Sequence, residues 1–201
     1  MSEFDAKARE WDNNPVHWER SEAIARNLLE MVPVTPNMKA LEYGAGTGIL
    51  SFLLSDKFAE ITLMDNSREM VRVMHEKIIK AKLAHFKPLF FDLEHSDYYV
   101  HKFDCVFSQM VLHHIKDTGQ MLNKLYHILN PGGYLAIADL WPEDGLFHGS
   151  GANVHPGFDP EELAKYLNTI GFRNTIHKTC FEIKRDSGKM FPVFLLVAQK
   201  E

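Results

Sequence analysis

The stretch Leu41-Glu42-Tyr43-Gly44-Ala45-Gly46-Thr47-Gly48 decides how this chain folds. An apolar run, 38–41, leads into it and a second apolar run, 49–54, follows it, which predicts a strand, a glycine turn and a helix. Glycines at alternate positions permit positive φ angles and leave the backbone bare for a ligand. The helix start behind them offers unpaired N–H groups to an anionic or polar ligand. The stretch therefore predicts a nucleotide-binding crossover.

The spacing of the glycines separates two kinds of nucleotide site. A dinucleotide fingerprint, Gly-x-Gly-x-x-Gly, would need a glycine where this chain has Ile49. The pattern Glu-x-Gly-x-Gly-x-Gly instead resembles the first motif of the class I S-adenosylmethionine-dependent methyltransferases of the small-molecule type. In that family the acid before the glycines lies near the methionine amino group, and the loop wraps the methionyl and ribose parts. The resemblance implies that S-adenosyl-L-methionine is the cofactor, bound by Glu42, Tyr43, Gly44, Ala45, Gly46 and Gly48.

The composition excludes several other classes of protein. A chain of 201 residues is most simply one domain with enough length for a good core. The net charge of −5 argues against nucleic acid as the main partner, and no apolar run is long enough to cross a bilayer. The first residues lack the pattern of a signal peptide, so the cytoplasm is the expected compartment. Cys105 and Cys180 fall in apolar runs without zinc spacing and are expected to be reduced core residues; the oligomeric state stays open.

A second acid supports the cofactor assignment. The run Glu60–Asp65 predicts a strand, and its terminal Asp65 lies about twenty residues past the glycines, where a nucleoside-binding fold places its ribose carboxylate. A carboxylate accepts two hydrogen bonds from the 2′ and 3′ hydroxyls at once. The alternative is an aspartate that only caps the next helix. Asn66 follows it, and Met70 in the helix after Ser67 is either a core residue or an adenine contact.

The third and fourth strands are expected to end at the same edge of the sheet. In the resembling family an acid after the third strand accepts a hydrogen bond from the adenine amino group and the next residue helps, which implies Asp92 and Leu93. The alternative for Asp92 is an ordinary loop aspartate. After the apolar strand at 103–108, the resemblance to the family's fourth motif implies cofactor contacts from Ser108, Gln109 and Met110.

Residues 1–36 precede the first strand, and residues 37–201 form the predicted cofactor-binding domain. Residues 4–11 read as helical, the break at 13–15 contains Pro15, and a second helix runs to about Met31. The start Phe-Asp-x-x-Ala-x-x-Trp-Asp resembles the helical lid of small-molecule methyltransferases, which implies substrate contacts from Trp11 and His17. The alternative is a helix that only packs on the flank of the domain.

The second half of the chain predicts the fold class. Asn130-Pro131-Gly132-Gly133 ends a helix, and an apolar strand at 134–138 follows. The runs 175–183 and 191–198 read as a hairpin. We predict an α/β fold: a doubly wound, mostly parallel, seven-stranded sheet with a C-terminal antiparallel hairpin strand and helices on both faces. The resembling methyltransferases end their sheet in this way, whereas dinucleotide dehydrogenases usually do not.

The loop between the fifth strand and the last helix, residues 139–158, is long enough to be functional and is predicted to form the substrate wall through Trp141 and His155. A general base is needed only for a hydroxyl or ammonium acceptor, and a thiolate, free amine or carbanion needs none. The candidate bases are His155, His114 and His148. The adjacent His113 and His114 are expected to face different ways, and no metal site is predicted because no carboxylate or cysteine accompanies them at ligand spacing.

Two alternatives to a methyltransferase remain at the level of the sequence. A nicotinamide-dependent oxidoreductase would share half of the fold and the role of Asp65, but Ile49 and the terminal hairpin disfavour it. A non-catalytic nucleotide-binding module of the same fold is the other, although such a module would typically have a decayed glycine loop. The predicted partner is a small molecule, with neither nucleic acid nor a membrane.

Overall fold

Seven strands form one sheet in the computed structural model, which describes residues 4–149 and 153–201. The sheet order is third, second, first, fourth, fifth, seventh, sixth. The first five strands run parallel, and the seventh is antiparallel to both of its neighbours. This topology confirms the predicted fold class. The strands are β1 (Lys39–Tyr43), β2 (Glu60–Asp65), β3 (Phe86–Phe90), β4 (Phe103–Gln109), β5 (Leu129–Leu140), β6 (Phe172–Lys184) and β7 (Met190–Lys200).

Four of the α-helices begin where the sequence supplies a capping side chain, whereas the helix at Ile49–Leu53 begins at the glycine turn. Ser67, Asp117 and Asp159 each accept a hydrogen bond from a backbone N–H in the first turn that follows. Asn14 does the same for the N-terminal helix. No helix in the described part of the chain is long and apolar enough to cross a membrane. The helices are α1 (Pro15–Met31), α2 (Ile49–Leu53), α3 (Arg68–Ala81), α4 (Thr118–Ile128) and α5 (Pro160–Ile170), with 3₁₀ helices at Asp5–Asn13 and Leu112–His114.

The helices cover both faces of the sheet, and each face has its own core. On one face α1, α2 and α3 bury Leu28, Leu50 and Met74 against the strands. On the other face α4 and α5 bury Leu125 and Leu167. Strands that are covered on both sides must be apolar along their whole length, which explains the continuous runs in β4 and β5.

The start of β5 and the type of the N-terminal helix differ from the prediction. The strand β5 begins at Leu129 rather than at Tyr134, because Leu129 pairs with Phe103 before the Pro-Gly-Gly segment bulges out of the ladder. Tyr134 then pairs with Cys105, two residues further along β4. The N-terminal helix at Asp5–Asn13 is a 3₁₀ helix, a type that hydrophobic spacing does not distinguish from an α-helix.

Candidate active site

The glycine turn between β1 and α2 needs its glycines for different reasons. Gly44, Gly46 and Gly48 all have positive φ angles, of 70°, 58° and 84°. A Cβ atom on Gly44 would lie 2.4 Å from Val111 Cγ2, so the turn packs tightly under the residue that follows β4. At Gly46 the nearest atom would be Trp11 Nε1 at 3.9 Å, so its backbone is bare on the side that faces the N-terminal segment.

Glu42 lies at the carboxyl end of β1 with no solvent exposure. Its Oε2 accepts hydrogen bonds from Ser51 N at 3.1 Å and Ser51 Oγ at 2.5 Å, whereas its Oε1 is buried with no partner among the described residues. Burial raises the pKa of Glu42 to about 8. An uncharged, half-paired carboxyl at this point suits a ligand group that would donate to Oε1.

Asp65 stands at the end of β2 and reaches across to the glycine turn. Its Oδ2 accepts from Gly46 N at 2.7 Å, and its Oδ1 accepts from Ser67 N at 2.8 Å. The side chain is largely buried, and this burial raises the pKa of Asp65. Asn66 is exposed beside it, and Met70 is buried in the first turn of α3. The structure therefore brings the two predicted cofactor segments together.

Asp92 closes the turn after β3. Its Oδ1 accepts from Glu94 N at 3.1 Å, and its Oδ2 lies 2.9 Å from His95 Nδ1. Leu93, the next residue, is buried in the core of the α4 face. The Asp92 carboxylate thus has partners within its own loop in this structure.

The end of β4 is joined to α1. Gln109 Oε1 accepts a hydrogen bond from Ser21 Oγ at 3.0 Å, and Ser108 beside it is buried. Met110 adopts a φ of 56°, a backbone conformation that is costly for a residue with a side chain. The chain turns sharply here to bring Val111 against the glycine turn.

The N-terminal 3₁₀ helix is tied to the cofactor segments by polar contacts that the sequence reading missed. Asp5 accepts from Ser67 Oγ at 2.6 Å, and Asp12 accepts from the Thr47 hydroxyl. Lys77 Nζ lies 2.6 Å from Asp12 Oδ2 and donates to Thr47 O at 2.9 Å. Both aspartates lie within the Phe-Asp-x-x-Ala-x-x-Trp-Asp start, but only the fold shows which residues they meet.

Aromatic side chains of the N-terminal segment pack beside these polar contacts. Trp11 stacks on His17 with ring centroids 4.2 Å apart, and His17 Nδ1 lies 2.9 Å from Trp11 O. Phe4 packs edge-on against Trp11 on one side and against His114 on the other. Of the predicted substrate residues, Trp11 therefore lies beside the glycine turn and His17 stacks on Trp11, while Phe4 joins Trp11 to His114.

His113 and His114 do not face different ways, so that expectation was wrong. They belong to the 3₁₀ helix Leu112–His114, in which consecutive side chains are about 120° apart rather than on opposite faces as in a strand. Their ring centroids are 4.2 Å apart, and His148 from the loop after β5 joins them. The structure also supplies the carboxylate that the spacing did not reveal, because Asp139 Oδ1 lies 2.6 Å from His113 Nδ1.

The other two residues predicted for the substrate wall lie apart from each other. The backbone N–H of His155 donates to His113 O at 2.8 Å, and its ring packs on Phe158. The Trp141 ring instead packs edge-on against Phe194 in β7. The structure therefore brings His155, but not the ring of Trp141, to the cluster of histidines.

Arg20 is a buried cation on α1 that the sequence reading did not single out. It is 8% exposed, and its Nε has no hydrogen-bond partner among the described residues. Burial lowers the pKa of Arg20 to about 10, partly offset by the charge of Asp139. The only sign of this burial in the sequence is that Arg20 falls within an otherwise apolar stripe of the helix.

Comparisons with known proteins identify the class. A family model described as a methyltransferase domain matches residues 34–185, more than half of the chain. An uncharacterised methyltransferase from Schizosaccharomyces pombe is 30% identical over 153 residues, which cover 68% of this chain and 54% of that protein. The chain thus spans about half the length of this relative. It belongs to the class I S-adenosylmethionine-dependent methyltransferase family.

Solved structures of low identity share the fold. A methyltransferase from Aquifex aeolicus, described as dependent on S-adenosylmethionine, superposes with a TM-score of 0.72 at 21% identity and covers 98% of both chains. A phosphoethanolamine N-methyltransferase from Haemonchus contortus, solved with S-adenosyl-L-methionine, superposes with a TM-score of 0.74 at 18% identity over 91% of this chain and 52% of that one. The match to the methyltransferase domain over residues 34–185 is the finding that sets the nicotinamide-dependent alternative aside.

The residues around the glycine turn fit the cofactor of this family. The buried Oε1 of Glu42, which has no partner in the part of the chain that the structure describes, provides an acceptor for an amino group. The bare backbone at Gly46 leaves room where a side chain would intrude, and Asp65 provides a carboxylate at the next strand end. These groups all lie at the carboxyl edge of the parallel strands, where open α/β sheets bind ligands.

Proposed function

We propose that this chain transfers a methyl group from S-adenosyl-L-methionine to a small-molecule acceptor, with residues 1–36 as a lid over the domain at 37–201. The observation that carries the proposal is the polar and aromatic cover above the glycine turn. Asp5 and Asp12 tie the N-terminal segment to α3 and the turn, and Trp11 lies over Gly46. A covered site suits a small acceptor better than a macromolecular one.

The proposed cofactor contacts follow the ends of four strands. Glu42 would accept from the amino group. Asp65 would accept from the ribose hydroxyls, because each of its oxygens has one backbone donor and a further lone pair for a hydroxyl. Asp92 would accept a hydrogen bond from the adenine amino group in place of its present partners in the loop. The remaining proposed contacts are Tyr43, Gly44, Ala45, Gly46, Gly48, Asn66, Met70, Leu93, Ser108, Gln109 and Met110.

When bound, S-adenosyl-L-methionine supplies a methyl group on a positively charged sulfur. The chain's own task is to align the acceptor with that group and to exclude water, which the lid and the loop after β5 would do. Trp11, His17, Trp141 and His155 are the proposed acceptor contacts, and the ring of Trp11 would also attract a nearby cation.

A base is required if the acceptor is a hydroxyl or an ammonium group. The candidates are His155, His114 and His148. Burial, with the nearby His113 and His148, lowers the pKa of His114 to about 3, so this imidazole is a weak proton acceptor at neutral pH. That leaves His148 and His155 as the stronger candidates for a direct base.

Titration calorimetry of the full chain with S-adenosyl-L-methionine tests the cofactor assignment. We expect one site per chain, weakened at least about 100-fold in Asp65→Ala, because a bidentate charge-assisted contact is lost. Asp186→Ala, in the exposed turn between β6 and β7, is the matched control and should bind normally. Absence of binding by the unaltered chain would overturn the proposal.

Formation of S-adenosylhomocysteine with a panel of small hydroxyl, thiol and amine acceptors tests the acceptor class. Turnover with at least one small acceptor is expected. Turnover only with a peptide or a nucleic acid would refute the small-molecule assignment, and tight cofactor binding without any transfer would favour a non-catalytic module.

A further inference from the structure

Three histidines from two separate elements meet at the edge of the proposed acceptor region. His113 and His114 come from the 3₁₀ helix after β4, and His148 comes from the loop after β5. A ring nitrogen from each lies within 4.8 Å of the others. The ring centroids of His113 and His148 are 4.9 Å apart, and those of His114 and His148 are 5.0 Å apart. Imidazole nitrogens that converge in this way form a possible ligand set.

His113 provides a second, independent observation. It is 1% exposed, its Nδ1 is held by Asp139, and its Nε2 is buried with no hydrogen-bond partner among the described residues. A buried polar atom without a partner calls for a ligand. A carboxylate that holds the far nitrogen of an imidazole is also the usual support behind a metal-binding histidine, since it sets the tautomer and the ring orientation.

Asp139, which holds the Nδ1 of His113, is itself held by backbone N–H groups. Asp139 is fully buried, and its two carboxylate oxygens also accept from Leu140 N at 2.7 Å and His113 N at 3.3 Å. The Nδ1 of His113 therefore has a fixed acceptor, and the Nε2 is the nitrogen left for a ligand.

We propose that His113, His114 and His148 bind one divalent transition-metal ion of the zinc type. Zinc–nitrogen bonds of about 2.0–2.1 Å put tetrahedral ligand atoms roughly 3.3–3.4 Å apart. The ring nitrogens of the three histidines, now within 4.8 Å of one another, must therefore move closer together by at most about 1.5 Å. His148 is exposed, so its side chain has room to make this movement.

Three protein ligands leave a fourth position for water or for an acceptor atom. His114 packs against Phe4 of the proposed lid, so the cluster of histidines borders the covered region. If the proposed methyl transfer is correct, a hydroxyl or thiol acceptor bound to the ion would release its proton to solvent at neutral pH, without a separate base. The metal site itself does not depend on that function.

Titration of the metal-free full chain, without a histidine tag, with Co²⁺ tests the site. We expect one Co²⁺ per chain with the visible absorption bands of a tetrahedral complex, which Zn²⁺ should abolish by displacement. His148→Ala should weaken binding by more than about 100-fold, since a lost ligand costs more than the 10–100-fold typical of a lost outer-shell partner. Asp139→Asn should weaken it by about 10–100-fold.

His75→Ala is the matched control, because His75 is an exposed histidine on α3, and it should leave Co²⁺ binding unchanged. Binding of Co²⁺ that His148→Ala does not weaken would indicate an adventitious ion only and would overturn the inference. No Co²⁺ binding by a chain that still binds S-adenosyl-L-methionine would also overturn it. Co²⁺ binding by a chain that fails to bind S-adenosyl-L-methionine would instead refute the proposed function and leave the metal site standing.

Discussion

Glu42 carries a proton in the free folded chain at neutral pH, because its complete burial raises its pKa to about 8. A cationic amino group at Oε1 would favour the ionised carboxylate, so binding would release that proton. We expect the affinity for S-adenosyl-L-methionine to rise with pH, by up to about tenfold per unit, until the pH reaches the raised pKa of the free chain. Calorimetry in buffers of different ionisation enthalpy measures the affinity and the released proton together.

Glu42→Gln is the control for this prediction. Glutamine keeps an oxygen that can accept from Ser51 but does not ionise, so its weaker binding should be independent of pH over the same interval. An unchanged slope in the variant would show that another group titrates. No slope in the unaltered chain would show that Glu42 does not ionise on binding.

Gly44 and Gly132 form a matched pair for a test of stability. Gly44→Ala should destabilise the chain by about 3 kcal/mol, because it combines the cost of a positive φ with an overlap against Val111. Gly132→Ala, where φ is +77° and no atom of the described residues lies within 4 Å of the added carbon, should cost only about 1–2 kcal/mol. Urea denaturation gives both free energies of unfolding, and equal values would contradict the tight packing at Gly44.

Some residues of the site could be predicted from the sequence and others could not. Glu42 and Asp65 could be predicted because each stands at a fixed distance from the glycines along the chain. The pair of His113 and Asp139 could not, since 26 residues separate the two and only the parallel pairing of β4 with β5 brings them together. The burial of Arg20 has the same origin, because it depends on how α1 packs on the sheet.

At the scale of elements, the N-terminal 3₁₀ helix is held by side-chain contacts rather than by strand pairing and should open more readily than the sheet. Lys77 joins Asp12 to Thr47 O, with the side chains of Lys77 and Asp12 only 23% and 28% exposed. Removing it should release the segment. We therefore expect Lys77→Met to speed tryptic cleavage after Lys7 and Arg9 by about fivefold, equivalent to about 1 kcal/mol of lost local stability.

Lys80→Met is the matched control, because Lys80 is an exposed lysine on the same helix. It removes one tryptic site and one charge, as Lys77→Met does, but leaves the contact with Asp12 intact. Equal cleavage rates in the two variants would show that Lys77 does not hold the segment closed.

Most elements were predictable because their ends carry local signals. Caps such as Ser67 and Asp159 mark helix starts, and the alternation of apolar and turn residues marks the strands. The early start of β5 was not predictable, since Pro131 and the glycines read as a plain turn. Whether such a segment leaves the sheet or only bulges from it depends on the neighbouring strand.

For the molecule as a whole, β7 is the strand on which both cores depend. Phe194 is fully buried at its centre on the α4 face, next to Leu195 on the other face. Phe194→Ala should lower the free energy of unfolding by about 3–5 kcal/mol. Met190→Ala, at the exposed start of the same strand, should change it by less than about 0.5 kcal/mol. Urea denaturation measures both, and a small loss at Phe194 would contradict its place in the core.

The position of β7 has a consequence for synthesis of the protein on the ribosome. It lies between β5 and β6 although it follows both in the chain, so these two strands face a gap until residue 200 has been added and has left the exit tunnel. During that interval the nascent chain presents two unpaired strand edges around an apolar slot. Slow or interrupted translation of the β7 segment would prolong that exposure, and the newly made chain would then depend on chaperones to prevent wrong pairing.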